Sequence, residues 1–263
     1  MFEELDYLYS KLHGIRPLSP ESVRRLSEDF MIDYTYNSNA IEGSTLTLEE
    51  TALVLKEGIT IGGKPLQHHL EAIGHKDAYY YVEDVVKNKV LFSEKIIKDI
   101  HSLVLMDRQA DKGVYRSVPV RVGSFHPCQP YEVPFKMELL MLAYNGEMQN
   151  LHVIEKAALF HLRFEMIHPF IDGNGRVGRL LLNLELMKEG YPPVNVKFTD
   201  RAKYYDCFKN YRENDGDPSQ MTALVEGYMI DELKRYIVIT EQSDNLRNNN
   251  PDAFCAENDE VLN

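Results

Sequence analysis

The residues best suited to chemistry stand together between His168 and Arg179, in the stretch His-Pro-Phe-Ile-Asp-Gly-Asn-Gly-Arg-Val-Gly-Arg. Histidine side chains ordinarily titrate near a pKa of about 6.5, so a histidine at position 168 suits proton transfer near neutral pH. Asp172 is a hard oxygen ligand of the kind that holds Mg²⁺. Arg176 and Arg179 are spaced i, i+3, and forked guanidinium groups suit phosphate oxygens. The combination indicates chemistry on a polyphosphate.

This stretch joins two predicted helices. Pro169 ends the first, because the residue before a proline is pushed out of the α region. The second carries apolar residues at i, i+3, i+4 and i+7, namely Val177, Leu180, Leu181 and Leu184. The backbone amides of Gly173, Asn174 and Gly175 would then point out of a helix N-terminus, a geometry that binds anions.

Three other interpretations of these residues are weaker. Gly173-x-Gly175-x-x-Gly178 is formally a dinucleotide-binding fingerprint, but that motif requires a preceding strand and the context here is helical. Asp172-x-Asn174 opens like a calcium loop, but an arginine stands where a ligand should be. A glycine-capped turn between two core helices explains the glycines and leucines, but not the histidine, aspartate and arginines together.

The stretch resembles the signature of the Fic family, His-Pro-Phe-x-Asp/Glu-Gly-Asn-Gly-Arg-x-x-Arg, and matches it at every specified position. The resemblance implies a mostly α fold, a Fic-type helical bundle with a small β-hairpin flap. It also implies that His168 is the general base, that Asp172 is the Mg²⁺ ligand, and that five residues bind the phosphates of ATP: Gly173, Asn174, Gly175, Arg176 and Arg179.

A second motif precedes this region. Ser19 and Pro20 predict the start of a helix that runs to about Ile41. Its end, Ser38 to Gly43, resembles the Fic inhibitory motif Ser/Thr-x-x-x-Glu-Gly/Asn, here N-terminal to the core. From the residues alone it is an ordinary helix end. The resemblance implies that Glu42 restrains the enzyme through Arg179, and that Ser38 holds Glu42 by a hydrogen bond.

Residues 113–131 alternate in the manner of a strand and then contain a Gly-Ser turn, which predicts a hairpin. The run resembles the Fic flap, which binds a segment of the target protein by strand pairing. We therefore assign Val122, Gly123 and His126 to the site. Cys128 stands where the family usually has a proline.

Tyr204 and Tyr205 open a further predicted helix. The resemblance implies that this pair lies near the adenine, whereas the residues alone predict core tyrosines. The family's asparagine that follows is not in simple register. Arg212 takes its place unless two residues are inserted, which would bring in Asn214.

Composition limits the class of protein. The chain has 263 residues, 44% of them hydrophobic, and a net charge of −12. This acidity argues against a binder of nucleic acid or of an anionic membrane. Three widely spaced cysteines and an acidic N-terminus without a signal-peptide pattern predict a cytoplasmic protein with reduced thiols. A homo-oligomer remains open.

We expect three parts along the chain: N-terminal helices including the inhibitory helix in residues 1–65, a catalytic core in 66–242, and a disordered tail in 243–263. The expected reaction transfers AMP from ATP to a Ser, Thr or Tyr hydroxyl of a protein and releases pyrophosphate. Two alternatives stay open. The same site could remove AMP from a modified protein with the help of Glu42, or the chain could be a non-enzymatic nucleotide-binding module.

Overall fold

The computed structural model describes residues 2–15 and 18–249. Within these ranges the chain is mostly α-helical, as predicted, and three short 3₁₀ turns join some of the helices. The α-helices in chain order are α1 (Glu3–Gly14), α2 (Pro20–Ile41), α3 (Leu48–Glu57), α4 (Leu66–Lys87), α5 (Glu94–Val104), α6 (Val133–Asn145), α7 (Val153–Ile167), α8 (Asn174–Lys188), α9 (Arg201–Glu213) and α10 (Ser219–Asn249).

Local signals in the sequence set several helix ends. Ser19 caps α2 by accepting a hydrogen bond from the Ser22 amide, at 3.1 Å. Thr47 and Glu50 form both halves of a capping box at the start of α3. Ser93 stands at the N-cap position of α5, but its side chain makes no capping hydrogen bond.

Helix α8 lies at the centre of the fold and is buried on more than one face. Six of its apolar residues are at most 3% exposed: Val177, Leu180, Leu181, Leu182, Leu184 and Leu186. Helices α2, α4, α5 and α7 all contact it. Burying one leucine contributes roughly 1.5–3 kcal/mol, so the N-terminal turn of α8 is held by a dense apolar anchor.

The terminal helices pack together on the other side of α7. Helix α1 contacts α10, and α10 also contacts α7. The last helix continues beyond residue 242, the predicted end of the catalytic core, to Asn249, where the described residues stop. Residues 250–263 lie outside the described residues, so a disordered tail and the three-part division of the chain remain predictions.

The β-hairpin predicted for residues 113–131 is not confirmed. Among the described residues the segment contains one antiparallel bridge, between Val122 and Phe125, around a turn at Gly123 with φ of +57°. Prolines at positions 119, 127 and 130 remove backbone donors that a strand pair would need. We call residues 122–125 the flap turn.

Two of the three cysteines lie in the described part of the chain. Cys128 is half-buried and Cys207 is buried, and both are free thiols. Cys255 lies outside the described residues. None of the helices in the described ranges has the length and apolar character needed to cross a membrane.

Candidate active site

The turn between α7 and α8 opens into a cavity of about 410 Å³. Eight of the residues predicted from the sequence line it: Glu42, Val122, Gly123, His168, Gly175, Arg179, Tyr204 and Tyr205. These residues come from α2, the flap turn, the α7–α8 turn, α8 and α9. The cavity therefore collects residues that are separated by as much as 163 positions in the chain.

His168 ends α7 in a left-handed conformation, with φ of +50° and ψ of +62°. Its amide donates to the Phe164 carbonyl at 2.9 Å, which closes the helix. Residues other than glycine adopt this conformation at a cost of order 1–3 kcal/mol, and they do so mostly where the surroundings hold them. The predicted base therefore sits at a strained point of the backbone.

Arg116 supplies the contacts that hold this strained turn. The buried guanidinium donates to the carbonyl of His168 at 2.8 Å and to that of Cys128 at 2.6 Å. The Arg116 amide donates to the carbonyl of Pro169 at 2.9 Å. One side chain thus joins the turn between α7 and α8 to the segment that carries the flap turn. The sequence placed Arg116 only in the predicted hairpin and did not indicate this role.

Arg116→Lys is expected to lower the free energy of unfolding by about 3 kcal/mol. A lysine ammonium cannot reach all the carbonyls that the guanidinium fork serves, and each buried acceptor left unpaired costs about 1–3 kcal/mol. Thermal or denaturant unfolding measures the change. Arg121→Lys, at an exposed arginine five residues away, is the matched control. Equal stability of both variants would contradict this role.

Asn174 closes the turn through its side chain. Its Oδ1 accepts from the Phe170 amide and its Nδ2 donates to the Phe170 carbonyl, both at 2.9 Å. Gly173 precedes α8 with φ of +76°, and its amide donates to Asp172 Oδ1 at 2.6 Å. Asn174 can therefore offer an anion only its backbone amide, and the Gly173 amide already has a carboxylate partner.

Asp172 does not line the cavity at the α7–α8 turn, and its side chain is 37% exposed. Its carboxylate is 3.0 Å from Arg108 and 3.4 Å from Arg176. Among the described residues no group of three His, Cys, Asp or Glu side chains forms a metal site. A single exposed carboxylate still fits Mg²⁺, which proteins often hold through one or two carboxylates together with substrate phosphates.

His101 fixes the backbone of Asp172 and was missed in the sequence. Its ring stacks on Phe170, with centroids 3.7 Å apart. Nδ1 accepts from the Gly113 amide at 2.8 Å, so Nε2 carries the hydrogen that is donated to the Asp172 carbonyl at 3.1 Å. Burial lowers the pKa of His101 to about 4, which keeps the ring neutral near pH 7.

The two signature arginines do not share one anion in this structure. Both are 2% exposed. Arg176 pairs with Glu71 of α4 at 3.2 Å and with Asp172. Arg179 turns to the end of α2, where Nη2 donates to Glu42 Oε1 at 2.8 Å. Each arginine therefore has a carboxylate of its own.

Ser38 also binds Arg179, and this corrects its predicted role. Its Oγ accepts from Arg179 Nε at 3.0 Å and its carbonyl accepts from Nη2 at 2.8 Å. The sequence had predicted a hydrogen bond from Ser38 to Glu42. Ser38 is fully buried, and its hydroxyl helps to hold the Arg179 guanidinium, which in turn holds the Glu42 carboxylate.

Glu42 lies against the first turn of α8. A Cβ atom added at Gly175 would overlap Glu42 Oε1, so only a glycine there admits the carboxylate. The N-terminus of a helix carries unpaired amides and partial positive charge, which stabilise an anion. Glu42 therefore occupies the position where we expected a phosphate, and it remains 34% exposed to the cavity.

The tyrosine pair divides between core and cavity wall. The Tyr204 hydroxyl lies 2.7 Å from Nε2 of His161 and accepts from Arg179 Nη1 at 3.4 Å, and burial raises its pKa well above 10. Tyr205 is less buried and carries the Arg201 guanidinium 4.6 Å from its ring centroid. Tyr204 thus also meets the core prediction, and both tyrosines line the cavity.

The remaining positions considered from the sequence, His126, Arg212 and Asn214, do not all reach the same cavity. His126 does not line the cavity at the α7–α8 turn but lines a neighbouring one of about 480 Å³. Arg212 lines the cavity at the α7–α8 turn and lies 5.0 Å from the ring of Phe125. Asn214 bonds to Asn210 at 2.6 Å and does not reach the cavity. Arg201, Glu165 and Arg212 are cavity residues that the sequence did not assign.

A helical bundle with this turn and cavity is typical of one family. The model of the Fic/DOC family matches residues 91–186. A Fic domain containing signaling protein from Bacteroides thetaiotaomicron superposes with a TM-score of 0.83 at 30% sequence identity. The match covers 91% of this chain and 97% of that one. The chain belongs to the Fic family.

Its curated relatives include eukaryotic proteins. The chain is 35% identical to the protein adenylyltransferase Fic of Nematostella vectensis over 226 residues, which cover 83% of this chain. It is 33% identical to the protein adenylyltransferase fic-1 of Caenorhabditis elegans, over 91% of this chain. The chain spans about half the length of these two relatives, 52% and 48%.

Proposed function

We propose that the protein is an adenylyltransferase that moves AMP from ATP to a hydroxyl side chain of a protein. The observation that carries the proposal is one cavity holding His168, the first turn of α8 and Arg179. The names of the relatives support the same activity. A nucleotide-binding module without chemistry would not need a histidine at a strained turn beside an anion site.

In this reaction a hydroxyl oxygen of the target attacks the α-phosphorus of ATP. A new P–O bond forms, the bond to the β-phosphate breaks, and pyrophosphate leaves. His168 accepts the hydroxyl proton, and the amides at the start of α8 stabilise charge on the phosphates. Asp172 would hold Mg²⁺ once Arg108 releases it, and the metal would neutralise phosphate charge.

Substrate positions follow from the cavity walls. The aromatic face of Tyr205 suits the adenine, and the flap turn borders the opening where a target segment would enter. Because the described part of this segment forms one bridge, between Val122 and Phe125, some of its backbone groups can pair with an extended peptide. The target protein supplies the hydroxyl, and ATP supplies the AMP.

We further propose that Glu42 inhibits this reaction. Its carboxylate occupies the anion position of α8 and engages Arg179, so the terminal phosphate of ATP loses a guanidinium partner. Bound ATP would then have its α-phosphorus misaligned, and a misplacement of about 1 Å can cost about 100-fold in rate.

Incubation with ATP labelled at the α-phosphate tests the proposed activity. Labelled protein on a denaturing gel, either the chain itself or an added target, is the expected result. ATP labelled at the γ-phosphate should give no labelled protein, because that phosphate leaves with pyrophosphate. Label from the γ-phosphate, or none from either nucleotide under conditions that relieve Glu42, would contradict AMP transfer.

Asp172→Asn is expected to remove the dependence of ATP affinity on Mg²⁺. The amide keeps the size of the side chain, but it is a poorer ligand for a hard cation. Calorimetric titration with ATP, with and without Mg²⁺, measures the coupling. Asp107→Asn, at an exposed aspartate, is the control and should keep the dependence of ATP affinity on Mg²⁺. An unchanged dependence in Asp172→Asn would exclude Asp172 as the Mg²⁺ ligand.

A further inference from the structure

A carboxylate that the signature does not include lies against the predicted base. Glu165 Oε2 is 3.4 Å from His168 Nδ1, and the two side chains are 11% and 16% exposed. We propose that Glu165 is a positioning residue, which holds the hydrogen on Nδ1 of His168 and so keeps Nε2 free as the base. This inference rests on the proposed function, in which His168 takes the proton.

Two buried atoms favour this pairing. Neither His168 Nδ1 nor Glu165 Oε1 has a hydrogen-bond partner among the described residues. Buried polar atoms are normally paired, and a small rotation of the imidazole would bring Nδ1 into hydrogen-bond contact with Oε2 of this carboxylate. At 3.4 Å the Nδ1–Oε2 distance already lies within ion-pair range.

The other ionisable groups near Glu165 either are uncharged or already have partners. Burial, together with the charge of Arg179, lowers the pKa of His161 to about 3, so that ring is neutral and can offer Glu165 an N–H but no positive charge. Tyr204 binds His161 and Arg179. Arg179 is already held by Ser38 and Glu42. Within the described chain, His168 is the basic residue at ion-pair distance from Glu165.

Gly178 provides an independent observation, because it makes room for the carboxylate. A Cβ atom at this position of α8 would lie 2.7 Å from Glu165 Oε1 and 2.6 Å from His161 Nδ1. Both distances are too short for real carbon contacts. The absence of a side chain at position 178 therefore lets Glu165 pack between α7 and α8, beside the catalytic turn.

The chemistry follows from the two ring nitrogens of histidine. When a carboxylate accepts from Nδ1–H, the lone pair stands on Nε2, at the far side of the ring. During the reaction the hydroxyl proton moves to Nε2, and the ring becomes positively charged. Glu165 stays ionised and stabilises that charge, so no further proton transfer is required.

Nitrogen NMR of the imidazole tests the tautomer without any activity. In ¹⁵N-histidine-labelled wild-type protein, with His168 assigned by comparison with His168→Asn, we expect Nδ1 protonated and Nε2 unprotonated. Glu165→Gln should keep this tautomer, because its amide oxygen can still accept. Glu165→Ala should shift His168 toward the Nε2–H form. A wild-type Nε2–H tautomer, or an unchanged tautomer in Glu165→Ala, would overturn the proposal.

Kinetics separate positioning from simple structural support. Glu165→Ala should lower kcat for labelling by about 10- to 100-fold, which is no more than the lower end of what a whole general base contributes, because His168 itself remains, and it should leave KM for ATP within about twofold. Glu165→Gln should keep the tautomer but lose part of kcat, because it cannot stabilise the imidazolium. Glu155→Gln is the matched control, ten residues earlier on α7 and so about 15 Å away along the helix.

The two readouts distinguish this inference from the proposed function. If wild-type protein transfers no AMP, the proposed function fails, and the NMR result still decides whether Glu165 sets the tautomer. If the protein transfers AMP and Glu165→Ala retains the wild-type kcat, the positioning role is refuted while the proposed function stands. An equal loss of kcat in Glu155→Gln would also refute it, because the effect would then not be specific to the pair.

Discussion

Glu42→Gly is expected to raise AMP transfer from ATP by about 10- to 100-fold, because a misplaced α-phosphorus costs a factor of that order. The glycine would vacate the first turn of α8 and free one guanidinium edge of Arg179. Arg179 should stay in place, since Ser38 and Tyr204 still accept from it. Initial rates of labelling from α-labelled ATP, including self-modification, measure the effect.

Glu57→Gly is the matched control for this prediction. Glu57 is an exposed glutamate at the end of α3 and is followed by a glycine, as Glu42 is at the end of α2. It should leave the rate unchanged. Arg179→Ala should not activate, because it also removes a phosphate partner, and the double variant should resemble it. A rate for Glu42→Gly at or below wild type would exclude inhibition, and it would favour a role of Glu42 in AMP removal.

Replacing His168 is expected to lower AMP transfer by at least about 100-fold, the lower end of what a general base contributes. Two variants are needed because the residue has positive φ. Alanine is strained there, whereas asparagine tolerates the left-handed conformation and cannot act as a base. Both should still bind ATP, because the phosphate partners are α8 amides and arginines. Labelling rates and calorimetric ATP affinities separate the two effects.

His13→Ala is the control for this pair of variants. His13 is an exposed histidine near the end of α1, far in sequence from the cavity, and its Nδ1 contacts only the Tyr9 carbonyl among hydrogen-bonding atoms of the described chain. It should label at the wild-type rate. Full labelling by His168→Asn would show that another group takes the proton. If His168→Asn lost both ATP binding and labelling, the result would instead indicate a structural role for His168.

Much of the fold could be read from the sequence because helices leave local signals. The apolar spacing after the signature predicted the buried face of α8, and Ser19 with Pro20 predicted the start of α2. The segment at 113–131 was less predictable. Its alternating residues resembled a strand, but a strand needs a pairing partner. Here the Arg116 side chain binds the carbonyls of His168 and Cys128, and the prolines lack the backbone donors for strand pairing.

The sequence by itself determined the turn between α7 and α8, because a histidine, an aspartate and glycines within eight residues can act together only around one helix N-terminus. It also placed Glu42 at the end of α2. Only the tertiary structure decided which groups meet these residues. Arg116, His101 and Glu165 reach the turn through contacts that depend on how helices and loops pack, and no periodic pattern in the chain encodes such contacts. Ser38 illustrates the same limit. Ser38 stands four residues before Glu42, and this spacing places both on one face of the helix. In the folded chain, however, the buried Ser38 hydroxyl accepts a hydrogen bond from Arg179.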